Sequence, residues 1–273
     1  MRRMLFSRLL IVLVVGVAAL GLIPPDAQDT SVFGKYRGFL LPRGDGQTTV
    51  VASANAAESK ADPAAEPQKK DDGKPQFIFD ERKLGEDSAP LKLKLFSSMT
   101  CVHCAHFAVQ SLPLLREKYV DTGKMQIIFF DFPLEERAMV ASMISKCLPD
   151  DRYFAFMSAL YAAQMKWMMS HNLQEALEPY ARMAGLPKDK MIACATNAEA
   201  LNKMMAKRQE YISKYQVNAT PMLILETAER IRTISGAPSD EKEFENVLDA
   251  MIAEASMREK LSENARPAVT GAP

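Results

Sequence analysis

Two cysteines, Cys101 and Cys104, lie one helical turn apart where an apolar run gives way to a helical pattern, in "LFSSMTCVHCAHFAVQSLP". No other feature restricts the fold and chemistry of the chain as much. Leu91–Phe96 alternates Leu with Lys and then turns apolar, the pattern of a strand with one covered face. Thr100 is a good N-cap, which makes Cys101 the first helical residue. Phe107, Val109, Leu112, Leu114 and Leu115 carry the helix to about Tyr119. Pro113 is expected to kink it, because proline removes a backbone donor and crowds the turn before it. A dithiol at such a junction is a zinc half-site, a structural bridge or a redox pair. Zinc takes four ligands. His106 is a third candidate, but positions i, i+3 and i+5 of one helix do not converge on one metal, and Cys147, Cys194 and His171 are distant in sequence. A bridge closing so small a loop constrains little. The redox reading is favoured: a sulfur on the first turn meets unpaired N–H groups and the positive end of the helix dipole, and both stabilise a thiolate. Cys104, deeper on the same face, is expected to be the buried partner, and His103 can place positive charge near the sulfur. A stabilised thiolate makes the disulfide more oxidising.

The compartment bears on that chemistry. Arg2, Arg3 and Arg8 precede the apolar run Leu9–Ile23, which together read as an export signal. The run is about 15 residues against the roughly 20 of a membrane span, so a cleaved signal and an uncleaved anchor both fit. Residues 1–23 are read as that signal or anchor. Residues 24–75 are read as a disordered linker, since Ala, Pro, Asp, Lys and Gln leave little apolar surface to bury, and 257–273 as a disordered tail. Export leads to an oxidising compartment where disulfides persist. Lys+Arg and Asp+Glu are both 34, so no global charge points to nucleic acid, and 48% apolar residues suffice for a full core.

Downstream, "KMQIIFFDF" is a strand that Pro133 ends. Leu134 to Tyr215 is rich in Ala, Met, Leu, Lys and Glu at helical spacing and reads as four or five helices, broken near Pro149, Asn172, Gly185–Pro187 and Asn197. "TPMLILE" and "RIRTISG" read as a hairpin, followed by a helix over Asp240–Ala255. A short first strand is expected in "QFIFDE". The crossover rule makes the strands flanking the Cys101 helix parallel. The result is an α/β chain, a thioredoxin-like fold with an inserted helical domain. Its first part is 76–133, the insertion 134–215 and its second part 216–256. Asp131, in an apolar strand, is a candidate proton acceptor for Cys104. Met165, Met168, Met169, Met204 and Met205 are assigned to the core, with a soft substrate groove as the alternative. Trp167 reads as a packing anchor, and His106 and His171 as partly exposed residues without a special role.

Together "LGEDSAPLKLKLFSSMTCVHCAHF", "IIFFDFPL", the helical block and "VNATPMLIL" resemble the DsbA family of bacterial thiol:disulfide oxidoreductases, most of all its alphaproteobacterial branch, over roughly Gln76 to Ala255. The resemblance implies a periplasmic dithiol oxidase, with Cys101, Cys104 and His103 catalytic and no cofactor or metal. It implies a cis Pro221 against the cysteines, with Thr220 before it, as the substrate-binding backbone; the alternative is a proline opening an edge strand. It implies reduced exported proteins as substrates, a monomer, reoxidation by a DsbB-like quinone-linked membrane partner, and a membrane tether if the leader remains. Val102-His103 replaces the more familiar Pro-His pair, which leaves the strength of the oxidising poise open. Cys147 and Cys194, 47 residues apart, are either two buried free thiols or a structural disulfide; a similar pair occurs in that branch. Closing that loop stabilises by at most roughly 4 kcal/mol. The alternatives for function are a reductase or isomerase of the same fold, and a thioredoxin-fold metallochaperone using Cys101, Cys104 and His103.

Overall fold

Leucine–lysine alternation builds the centre of the sheet. In the computed structural model, which describes residues 75–264, the strands are β1 (Arg82–Leu84), β2 (Leu91–Ser97), β3 (Met125–Asp131), β4 (Met222–Glu226) and β5 (Ile231–Ser235). They form one five-stranded sheet in the order β1-β3-β2-β4-β5. β2 and β3 are parallel, and the other neighbours are antiparallel. The sequence-based readings of the leader, the linker before residue 75 and the tail beyond 264 lie outside the described residues.

Leu91, Leu93 and Leu95 are buried on one face, beside Ile127 and Phe129 of β3 and Leu223 and Leu225 of β4. The opposite face, expected to be open, is also covered. Phe96 stacks on Phe130 at 4.5 Å, and Tyr211 and Tyr215 close over both rings. Alternation hides this cover because Lys94 buries its stem there, its ammonium 5.5 Å from the Tyr215 ring.

The helix after β2 is α1 (Val102–His106), a π-helical stretch Phe107–Ser111, α2 (Leu112–Leu115) and a second π-helical stretch Arg116–Val120. Pro113 explains the first widening. Proline donates no bond to the carbonyl four residues back, and just before it the Leu112 N–H bonds Phe107 O, one residue beyond α-helical register. The insertion between β3 and β4 holds six helices among the described residues: α3 (Glu136–Lys146), α4 (Asp150–Ala162), α5 (Gln164–Met168), α6 (Leu173–Met183), α7 (Lys188–Ala195) and α8 (Ala198–Tyr215). Asn172 and Asn197 cap α6 and α8 with their side-chain oxygens. The last helix, α9 (Glu241–Asn264), runs beyond Ala255 into the stretch read as tail. "SMREKLSEN" is rich in strong helix formers, so propensity carries the helix past its packed portion. Among the described residues, no helix is long and apolar enough to cross a membrane.

"QFIFDE" is not a strand. Phe79 packs with Met143, Ala200 and Met204, Phe77 lies against them, and the Ile78 N–H bonds Lys146 O at 2.8 Å. A cleft between α3 and α8 takes the aromatic rings, and pairing begins only at Arg82. Cys147 and Cys194 are joined by a disulfide that ties the end of α3 to α7.

Beneath the sheet lies a buried charge cluster. Asp131 ends β3 on the leucine face and pairs with Lys146 Nζ at 2.7 Å, both side chains almost fully buried. Tyr153 of α4 donates its hydroxyl to Asp131 at 3.2 Å, and Arg82 lies 5.0 Å over the Tyr153 ring while bonding Leu148 O and Asp150. Removing one member of a buried ion pair strands the other charge. Asp131→Ala is therefore expected to destabilise the fold by about 3–5 kcal/mol, whereas the apolar double replacement Asp131→Leu with Lys146→Met is expected to recover most of that loss. Denaturant unfolding of the three proteins measures both.

Candidate functional site: a dithiol at a helix N-terminus

The sulfur of Cys101 performs the capping that the sequence assigned to Thr100. Cys101 is extended (φ −77°, ψ 120°), and its Sγ accepts the Cys104 backbone N–H at 3.4 Å. The Thr100 hydroxyl faces Ser98 Oγ at 3.3 Å instead. The helix therefore starts one residue later than read, and a sulfur occupies the position where backbone donors converge.

Both cysteines are free. Cys101 is half-buried; Cys104 is 1% exposed. The hydrogen bond from the Cys104 thiol holds the Cys101 pKa down at about 5, against an ordinary value near 9. Burial opposes this, and the backbone N–H groups of Cys104 and His103 reinforce it. Burial pushes Cys104 far the other way, and the proton it shares with Cys101 adds to the rise; the Ser97 hydroxyl pulls weakly against both. The pair thus divides into an outer thiolate and an inner thiol. The His103 imidazole is exposed, and its contribution to the sulfur is made through its backbone.

Across the site, the Thr220–Pro221 peptide is cis, and Cys101 Sγ lies 3.2 Å from Thr220 O. Thr220 Oγ1 is buried without a hydrogen-bond partner among the described residues. Pro221 is buried directly before β4, and its carbonyl accepts the Gly236 N–H at 2.8 Å, tying the loop to the end of β5.

Three residues not singled out in the sequence reach the site. Ser97 Oγ and Tyr161 Oη are 2.6 Å apart, and Gln164 Nε2 donates to Met99 O at 2.8 Å and Cys101 O at 3.0 Å. Their trace in the sequence is a lone amide in the helical run "LYAAQMKWMM". Asp131 has Lys146 and Tyr153 as its described partners. His106 and His171 are exposed. Trp167 is fully buried and donates its indole N–H to Leu160 O at 2.8 Å. The methionine assignment is corrected: Met204 is buried and Met168 partly so, but Met165, Met169 and Met205 are exposed. In α5, Gln164 and Trp167 take the inward face and leave the other outside. Met205 lines an open groove of about 670 Å³ with Leu134, Met139, Val140, Leu201 and Arg208. Among the described residues, no three His, Cys, Asp or Glu side chains are placed to hold a metal.

A free dithiol whose outer sulfur caps a helix at the carboxyl ends of two parallel strands defines the class: a thioredoxin-fold dithiol protein. The Thioredoxin family model matches residues 79–250, and the chain belongs to that family. Among solved structures, alpha-DsbA1 of Wolbachia pipientis is 28% identical and superposes with a TM-score of 0.60 over 66% of this chain and 95% of that one. A protein-disulfide isomerase of Novosphingobium aromaticivorans shares the fold, at 24% identity and a TM-score of 0.54 over 64% of this chain and 99% of that one. A Rickettsia felis relative, provisionally named a protein-disulfide oxidoreductase, is 25% identical over 170 residues, 61% of this chain and 59% of its own length. The chain thus spans about three fifths of that relative. The DsbA resemblance seen in the sequence is the one the fold and these relatives bear.

The split between the two sulfurs has two measurable consequences. Alkylation of the reduced protein at pH 6 should label Cys101 first, with the rate falling as pH drops through about 5; equal labelling of the two thiols contradicts the split. In the unfolded chain Cys101 titrates near 9, so between about pH 5 and 9 the unfolded state binds the extra proton. The reduced protein should therefore gain stability as pH rises through that window and lose the gain as pH falls through about 5, while Cys104 opposes it only above about 9. Denaturant midpoints of the reduced protein at pH 4.5, 6 and 8, referred to the oxidised protein, measure the effect.

Proposed function

We propose that this chain is an exported thiol:disulfide oxidoreductase working as a dithiol oxidase through the Cys101-Val102-His103-Cys104 pair. The observation that carries the reading is the helix-capping Cys101 sulfur, its pKa held near 5 beside a buried Cys104. A thiolate stabilised in the reduced enzyme makes the corresponding disulfide a stronger oxidant.

In the proposed cycle the enzyme starts as the Cys101–Cys104 disulfide. A substrate thiolate attacks Cys101 Sγ; the enzyme S–S bond breaks, and Cys104 departs with the electron pair and takes up a proton. The second substrate thiolate attacks the substrate sulfur of this mixed disulfide and releases Cys101 as its thiolate. The substrate gains a disulfide, and two electrons remain on the enzyme. Low thiolate basicity makes Cys101 a good leaving group in the second step. Thr220 and Pro221 are assigned the substrate backbone: an extended segment lying against them pairs as a strand added at an edge, which brings its sulfur in line with Cys101.

The sites proposed for the other functional roles follow the DsbA resemblance. Substrates are reduced exported proteins, the compartment is the periplasm with or without a membrane tether, the protein acts as a monomer, and a DsbB-like quinone-linked membrane oxidase restores the disulfide. Cys147–Cys194 serves as the structural bridge. The names of the Wolbachia and Rickettsia relatives support the disulfide chemistry, and the pKa of Cys101 favours the oxidase direction over a reductase.

The reduction potential of the Cys101/Cys104 couple, equilibrated with glutathione, tests the direction. A value toward roughly −120 mV supports the oxidase, and one near roughly −270 mV assigns a reductase. Cys104→Ala cannot form the enzyme disulfide, so substrate oxidation should be abolished. Offered a substrate that already holds a disulfide, its Cys101 thiolate should attack one sulfur, expel the other as a thiolate and remain as a mixed disulfide visible on non-reducing gels, because the inner thiol that would release the substrate is missing. Tight stoichiometric metal binding by the reduced protein without thiol exchange would instead select the metallochaperone.

A further inference from the structure

Local preference and the observed helix start disagree at the site, and something must hold the less favoured arrangement. Threonine is among the strongly preferred N-caps and cysteine is not. If Thr100 capped, Cys101 would take helical ψ near −42°. It is held at ψ 120°, with its carbonyl turned to meet both the Ala105 N–H at 3.0 Å and Gln164 Nε2 at 3.0 Å. The second amide proton of Gln164 goes to Met99 O at 2.8 Å, two residues earlier in the same buried loop. One side chain of the insertion thus grips the loop on both sides of Thr100.

Gln164 is itself held in place. It is 5% exposed and opens α5 just after the break at Ala163 (φ −108°, ψ 21°). That break ends α4 with Leu160 O, and the indole of Trp167, one turn past Gln164, caps it at 2.8 Å. Trp167 has no exposed surface. The chain direction at the break, and with it the aim of the amide, is therefore set by a buried aromatic anchor.

We propose that Gln164 is a positioning residue for thiol–disulfide exchange: by binding the Met99 and Cys101 carbonyls it selects Cys101 over Thr100 as the helix cap and keeps Cys101 Sγ on the Cys104 N–H. Without its two N–H groups the Met99 carbonyl loses this donor, the Cys101 carbonyl keeps only the Ala105 N–H, and ψ of Cys101 is released toward the helical value. The helix then starts one residue earlier, and the sulfur leaves the cap.

This inference rests on the redox role given to Cys101 and Cys104, and the test separates the two. Gln164→Met keeps the length and volume of the side chain and removes both donors. In the reduced variant, thiolate absorbance at 240 nm should show the Cys101 pKa raised by about half to one pH unit, a threefold to tenfold loss of thiolate at pH values below the pKa, with the glutathione equilibrium moved toward the disulfide form. An unchanged titration and equilibrium, whatever happens to the melting temperature, overturns the positioning role and leaves the redox reading intact. Failure of the unmutated protein to exchange disulfides at all overturns the redox reading instead. Should the variant not fold, the unmutated chain decides: with ¹⁵N-glutamine labelling, the Gln164 side-chain amide signals of the reduced protein should titrate with Cys101, inflecting near pH 5, and the oxidised protein should show no such inflection. Signals that ignore the Cys101 titration overturn the proposal.

Discussion

The hydrogen bond from the Cys104 N–H to the Cys101 sulfur organises the site. It gives a helix its cap and reinforces the charge on a sulfur that the Cys104 thiol does most to hold as the thiolate. A hydroxyl or carboxamide cap satisfies a backbone donor and stays chemically quiet. A thiol in that position is drawn toward the thiolate, so the group that completes the helix is also the group made reactive. Much of the surrounding structure keeps this contact dry on one side and open on the other: Cys104 is sealed beneath it while Cys101 stays half-exposed.

The sheet supplies rigidity under that contact. β2 is paired on both sides, with β3 and β4, and both its faces are covered, so the point where the chain leaves for the helix has little freedom. The Pro221 loop is fixed in turn by entering β4 and bonding Gly236. The insertion reaches the site from the leucine face. Tyr161 bonds Ser97, Tyr153 and Lys146 neutralise the end of β3, and Gln164 holds the loop before the helix. Polar groups in so enclosed a space are costly unless partnered. Most of those partners belong to the inserted helices, which makes the insertion structurally part of the dithiol site.

Legibility in the sequence followed the range of the interaction. The strand at Leu91, the helix at Val102, the parallel strand at Met125 and the closing hairpin were readable because alternation, helical spacing and turn residues are local. The helix breaks at Asn172 and Asn197 were readable because capping is local too. "QFIFDE" was misread because β-propensity reports a fit to a half-buried surface, and here the surface that took Phe79 belongs to α3 and α8. Met165, Met169 and Met205 were misassigned because helical spacing identifies a face without saying whether another element covers it.

Cys101 and Cys104 at a strand–helix junction are determined by the sequence alone, and so is the division into an outer and an inner sulfur, since one turn of helix separates them. Which residue caps that helix was decided by tertiary structure. Thr100 has the better intrinsic preference, yet Gln164, more than sixty residues away along the chain, bonds the carbonyls on either side of it, and the cap falls to Cys101. Intrinsic preference at a cap amounts to about 1 kcal/mol. Two hydrogen bonds from one buried amide to carbonyls of the loop outweigh it, and no local pattern records where such a distant side chain will point.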